Sequence, residues 1–81
     1  MVKAIVLVNT EMGSDEEVFK KLKDLPQVKA AYMVYGLYDL VVVIEAKEMD
    51  ELRDIVYKHI RSSPHVRSTL TMIVVNEIEK K

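Results

Sequence analysis

The sequence predicts an α+β fold, with one four-stranded antiparallel sheet and two helices on a single face. Three observations carry that expectation. Two helical stripes alternate with four strand-like runs in the order β-α-β-β-α-β. The halves also repeat. Pro26-Gln-Val-Lys-Ala-Ala aligns with Pro64-His-Val-Arg-Ser-Thr at a shift of 38 residues, which sets Val18 on Val56, Phe19 on Tyr57 and Leu22 on Ile60. Finally, the strands are apolar on both faces. Two βαβ halves of this kind form the ferredoxin-like, split-βαβ pattern. Right-handed crossovers then interleave the halves in strand order 4-1-3-2.

Each element has a local reason. Val2 to Val8 is β-branched and apolar, and Asn9 to Gly13 is turn-like. Ser14-Asp15-Glu16-Glu17 has the spacing of a capping box at the start of the first helix. Val18, Phe19, Leu22 and Leu25 share one helical face, and Pro26 ends the helix. Val28 to Tyr35 and Leu40 to Glu45 read as the second and third strands, joined by the hairpin turn Gly36-Leu37-Tyr38-Asp39. Asp50 is the expected N-cap of the second helix. Its inner stripe is Leu52, Ile55, Val56, His59 and Ile60, and Ser62-Ser63-Pro64 ends it. Thr69 to Val75 is the last strand, and the charged tail from Asn76 is expected to fray.

The chain has 81 residues, of which 49% are hydrophobic and 31% charged, as expected of one small globular domain over residues 1–81. Twelve basic and thirteen acidic residues give a net charge of −1, without the basic stripe of a nucleic-acid binder. The absence of Cys excludes disulfides, thiolate catalysis and Cys-based metal sites. No apolar run approaches the ~18 residues of a membrane span. The expectation is therefore a cytoplasmic protein with no membrane or direct nucleic-acid partner. The abundance of Lys and Glu is compatible with a heat-adapted source.

A sheet covered on one face only should alternate apolar and polar residues. Here Val2, Ala4, Val6 and Val8 oppose Ile5 and Leu7, Leu40 to Ile44 is apolar throughout, and Leu70, Met72 and Val74 oppose Ile73 and Val75. Two helices can cover one face. Burial of a single Val, Leu or Ile contributes roughly 1.5–3 kcal/mol, so a bare second face would forfeit a large stabilisation. The expected solution is a sheet-to-sheet dimer of identical copies.

Several sites can be set aside on residue type. The third strand lacks the stacking aromatics of an RNA-binding sheet. His59 falls on the apolar helix face as a packed residue, and His65 sits in a solvated turn. No His or Glu spacing indicates a metal, and no cofactor motif occurs. Ser62, Ser63 and His65 lack the orienting third group of a triad.

Two features remain. Asp39 places a carboxylate directly before an apolar strand, at a hairpin tip of the kind that often carries binding residues. Such an Asp also commonly bonds to loop amides. Thr69 and Thr71 share one face of the last strand.

The hairpin Gly36-Leu-Tyr-Asp-Leu-Val-Val, followed after a helix by Pro64-His-Val-Arg-Ser-Thr-Leu-Thr-Met-Ile-Val, resembles a known family. It is similar to the ligand-binding RAM (regulation of amino acid metabolism) domain of the Lrp/AsnC feast/famine transcription regulators. The resemblance runs from the first strand to Val75. It implies sheet-to-sheet dimers that assemble further into octamers or decamers, and amino-acid effectors bound between dimers. The matching ligand-binding positions are Gly36, Leu37, Tyr38 and Asp39, then Thr69 and Thr71. The chain starts at the first sheet strand rather than at a helix-turn-helix. The resemblance therefore implies a stand-alone, non-enzymatic form that senses an amino acid and acts by assembly, including with full-length Lrp-like regulators. Two other readings stand beside it: a small dimeric α+β enzyme of the monooxygenase or isomerase kind, and a structural oligomer that binds nothing.

Overall fold

The computed structural model describes residues 1–80. Strand β1 spans Val2–Thr10, α1 Asp15–Leu22, β2 Val28–Met33, β3 Leu40–Ala46, α2 Met49–Ile55 and β4 Val66–Ile73. A π-helical turn, Val56–Arg61, continues α2 without a break. The sheet is antiparallel in the order β2-β3-β1-β4, which is the expected order read from the other edge.

Burial alternates along the central strands with period two. Ala4, Val6 and Val8 of β1 and Leu40, Val42 and Ile44 of β3 are fully enclosed. They pack against Val18 and Leu22 of α1, Leu52 and Ile55 of α2, and Val56 and Ile60 of the π turn. Both helices therefore lie on one face. The opposite face carries Ile5, Leu7, Val41 and Val43 between the edge residues Tyr32, Leu70 and Met72. The register aligns Tyr32, Val41, Leu7 and Leu70 across all four strands, with Ala30, Val43, Ile5 and Met72 in a parallel row. Among the described residues no helix reaches this face.

The structure differs from the sequence expectation at several ends. Strand β1 runs on to Thr10 and β4 begins at Val66, because Asn9 pairs with Ser68 and Thr10 with Val66 across a bulge. Strand β2 stops at Met33, two residues early, and Tyr35 is fully exposed. Ser14 precedes α1 but makes no side-chain cap. Its backbone (φ −102°, ψ 0°) is not extended, and its amide instead donates to the carbonyl of Glu11. The acidic first turn of Asp15, Glu16 and Glu17 still suits the helix dipole. Glu48, not Asp50, is the N-cap of α2.

His59 is exposed rather than packed. The cause is the π turn, in which the Ser62 amide donates to the carbonyl of Tyr57, five residues back. With i→i+5 spacing Ile60 takes the inward place above Ile55, and His59 swings out. The tail is held rather than frayed at its start. The Val74 amide donates to Lys3 O at 2.9 Å, and Lys3 Nζ lies 2.8 Å from Glu77 Oε2.

Candidate functional site

The hairpin turn is fixed at its base by backbone bonds. The Val34 amide donates to Asp39 O at 2.9 Å, and the Asp39 amide donates to Val8 O at 3.0 Å. The second bond ties the hairpin to β1 rather than only to itself. Above this base Tyr35 and Leu37 project into solvent, while Tyr38 is half-buried. Gly36 has a φ of 159°, a nearly extended backbone, and open space where a Cβ would sit.

The Asp39 carboxylate has protein partners. Its Oδ2 accepts from the backbone amide of Thr10 at 2.8 Å and from Thr10 Oγ1 at 3.2 Å. Thr10 is buried, so this carboxylate satisfies polar groups at the end of the central strand. The bland expectation for a turn Asp, bonds to amides of its own loop, is replaced by a contact 29 residues away in sequence.

Thr69 and Thr71 lie across β1 from the hairpin. They pair with Val8 and Val6 and so point to the helix-covered side of edge strand β4. There they line an open cleft of about 1000 Å³ between β4 and the second helix. Leu52 and Val56 form part of its floor, and Arg53, Tyr57, Arg61 and Arg67 stand around it. The hairpin residues Gly36 to Asp39 do not line this cleft. Asp39 and Thr69 flank the same β1 residue, Val8, from opposite sides, about two inter-strand spacings or ~10 Å apart. The six expected ligand residues therefore form two groups within one copy.

Sequence reasoning missed the arginines of the cleft. They are separated in the chain, and only the packing of β4 against the second helix brings them together. A usable signal was present: two lie eight residues apart on the helix, and the third follows at the start of the last strand. The Ser62, Ser63 and His65 group holds structure rather than chemistry. The Ser62 hydroxyl donates to the carbonyl of Lys58, and Ser63 Oγ accepts from the His65 amide at 3.4 Å. The His65 ring was expected to be solvated. It is half-buried between Glu11 (3.3 Å) and Glu17 (3.4 Å). Among the described residues no cluster of His, Asp and Glu has the arrangement of a metal site.

Comparison with known proteins decides the family. The sequence model of the Lrp/AsnC ligand binding domain matches residues 3–81. The chain belongs to this family. The HTH-type transcriptional regulator FL11 of Pyrococcus horikoshii is 38% identical over 72 residues, which are 89% of this chain and 47% of that regulator. The chain thus spans about half the length of that relative. A homocitrate synthase of Sulfurisphaera tokodaii is 33% identical over 78 residues, 95% of this chain but 17% of the enzyme. Among solved structures, FFRP-DM1 superposes with a TM-score of 0.90 at 41% identity, covering 93% of this chain and all of that one. The resemblance seen in the hairpin and last strand is therefore confirmed at the level of family and fold. Among the described residues no helix is long and apolar enough to cross a membrane.

Proposed function

We propose that this chain is an effector-binding and assembly module that works without catalysing a reaction or contacting DNA. Copies pair through the open sheet face, and the dimers assemble further. An amino acid bound by Gly36, Leu37, Tyr38 and Asp39 together with Thr69 and Thr71 biases that assembly. The module thereby acts in the cytoplasm on a partner, such as a full-length Lrp-like regulator, by co-assembly.

The observation that carries this reading is the match of nearly the whole chain to a ligand binding domain. Two others support it. The same stretch recurs in a transcription regulator and in a small share of a synthase, as a portable regulatory module would. The apolar open face also fits an interface between copies. The separation of the hairpin from Thr69 and Thr71 adds a geometric condition. The six residues can share one ligand only where the hairpin of one copy meets the last strand of another. Asp39 would accept from the ligand ammonium, the threonine hydroxyls would donate to its carboxylate, and the charge-assisted bond would be the strong one.

Calorimetric titration with each of the twenty amino acids tests this, with sedimentation run at each ligand concentration. One amino acid or a small group should bind and shift the assembly. No binding by any of them would overturn this reading and leave the structural oligomer or the small enzyme.

A further inference from the structure

All three arginines of the chain, Arg53, Arg61 and Arg67, line the one cleft between β4 and the second helix. None of the lysines among the described residues lines it, in a chain whose net charge is −1. None of the arginines has an ion-pair partner among the described residues. The acid that also lines the cleft, Asp54, lies 3.6 Å from Lys58. Positive charge is thus gathered at one concavity, three arginines against one carboxylate, and that carboxylate is paired with Lys58 rather than with an arginine.

The π turn contributes to this arrangement. In an α-helix, residues four apart drift by ~40° around the axis. That drift separates Arg53 from Tyr57. The wider π turn makes four residues fall just short of a full turn, so the drift is reversed between Tyr57 and Arg61. Arg53, Tyr57 and Arg61 are brought back toward one line along the cleft. Arg67, Thr69 and Thr71 form the opposite wall, above the apolar floor of Leu52 and Val56.

We infer that this cleft binds a small dicarboxylate, with its two carboxylates held by the arginines and its carbon chain on the Leu52 and Val56 floor. The inference deepens the effector-binding reading and rests on it for the roles of Thr69 and Thr71. Arginine presents a planar fork of donors that matches a carboxylate in two parallel bonds. Two or three such forks facing one cleft suit a ligand with two anionic ends. The apolar floor favours a carbon chain over inorganic phosphate. A dicarboxylic amino acid meets these demands, and so does its 2-oxo acid.

The test is calorimetric titration of the full chain with L-glutamate, L-aspartate, the five-carbon 2-oxo diacid, inorganic phosphate, L-glutamine and L-leucine. Parent, Arg53→Gln, Arg61→Gln and Lys20→Gln proteins are compared. The diacids should bind, and L-glutamate should bind at least about tenfold tighter than L-glutamine. Each arginine variant should lose about ten- to a hundredfold in diacid affinity. Lys20→Gln, on α1 and outside the cleft, should match the parent. All variants should melt like the parent, because these side chains are exposed. Neutral amino acids binding as tightly as diacids, with no effect of the arginine changes, would overturn the inference and leave the effector reading intact. Phosphate binding as tightly as the diacids would overturn the choice of a dicarboxylate. Binding by none of these, where another amino acid binds, would also overturn the inference alone. Binding by no amino acid or diacid at all would overturn both.

Discussion

The two faces of the sheet are made of similar residues and have different fates. On the helix side, Val6, Val8, Val42 and Ile44 are completely enclosed by α1, α2 and the π turn. On the other side, Ile5, Leu7, Val41 and Val43 are only half-covered by neighbouring strands. Tyr32, Leu70 and Met72 at its margins remain 42–55% exposed. Residue type alone does not distinguish these faces. One apolar set builds the fold of a single copy, and the other is the face proposed for contact between copies. A strand apolar on both faces, in a chain with only two helices, thus carries two instructions at once.

Mutations should separate the two instructions. The largest effect is expected at Val42→Asp. It puts a carboxylate into the enclosed side, with no partner for the charge. A loss of roughly 4 kcal/mol or more is expected, a large share of a small domain's stability. Circular dichroism should show an unfolded or molten chain. Val6→Asp should behave alike.

Leu7→Asp moves the same chemistry one residue along β1 and onto the open face. The fold should survive, because the side chain can reach water. The assembly should not. A two-fold axis applies the change twice per dimer, so the loss should be about 3 kcal/mol or more. That is over a hundredfold in the dimer dissociation constant. Val43→Asp should repeat the result. If either variant unfolded like Val42→Asp, the distinction between the faces would fail.

Asp39 gives a smaller effect and sharpens the account of the hairpin. Asp39→Ala removes the acceptor for the Thr10 amide and hydroxyl, at a cost of about 1–3 kcal/mol read as a lower melting temperature. Asp39→Asn keeps an oxygen for that amide, so it should melt close to the parent. It loses the charge that would meet an effector ammonium, so amino-acid affinity should fall about ten- to a hundredfold. An Asn variant that melts normally and binds normally would assign Asp39 to structure alone.

The smallest effect is expected at the Lys3–Glu77 pair. The hydrogen bond from Lys3 holds the Glu77 carboxyl below its ordinary range, and the same bond raises Lys3 above its own. The Glu77 contribution is therefore present above the ordinary carboxylate range and lost as pH falls through the lowered value. The Lys3 contribution is present below the ordinary lysine range and lost as pH rises through the raised value. Between these limits the tail stays attached. Acid should free the tail in amide NMR spectra while the global melt barely moves, because the pair is solvent-facing.

Much of the fold was legible in the sequence for one physical reason: strand-like runs and helical apolar stripes encode element type and order, although strands apolar on both faces do not encode which face the helices cover. The inner stripes Val18 and Leu22 of the first helix and Leu52, Ile55, Val56 and Ile60 of the second point to the core as expected, while the structure is what assigns Ala4, Val6, Val8, Leu40, Val42 and Ile44 to the helix side. The unread features depend on contacts or backbone geometry with no local code. The π turn has no Gly or Pro to announce it, so helical spacing placed His59 inward when it faces water. The Asp39–Thr10 contact joins a hairpin to the end of β1, and nothing near Asp39 in sequence points to it. Of the candidate site, the hairpin and the two threonines were found from motif and alternation. Their separation by β1, and the arginines beside the threonines, required the packed structure.

The open sheet face is proposed to be completed by a second copy. Analytical sedimentation of the parent at micromolar concentration tests it most directly. The expected result is a dimer or larger assembly with no stable monomer, and a shift toward folded monomer for Leu7→Asp. A well-folded, monodisperse monomer of the parent chain at these concentrations would contradict it.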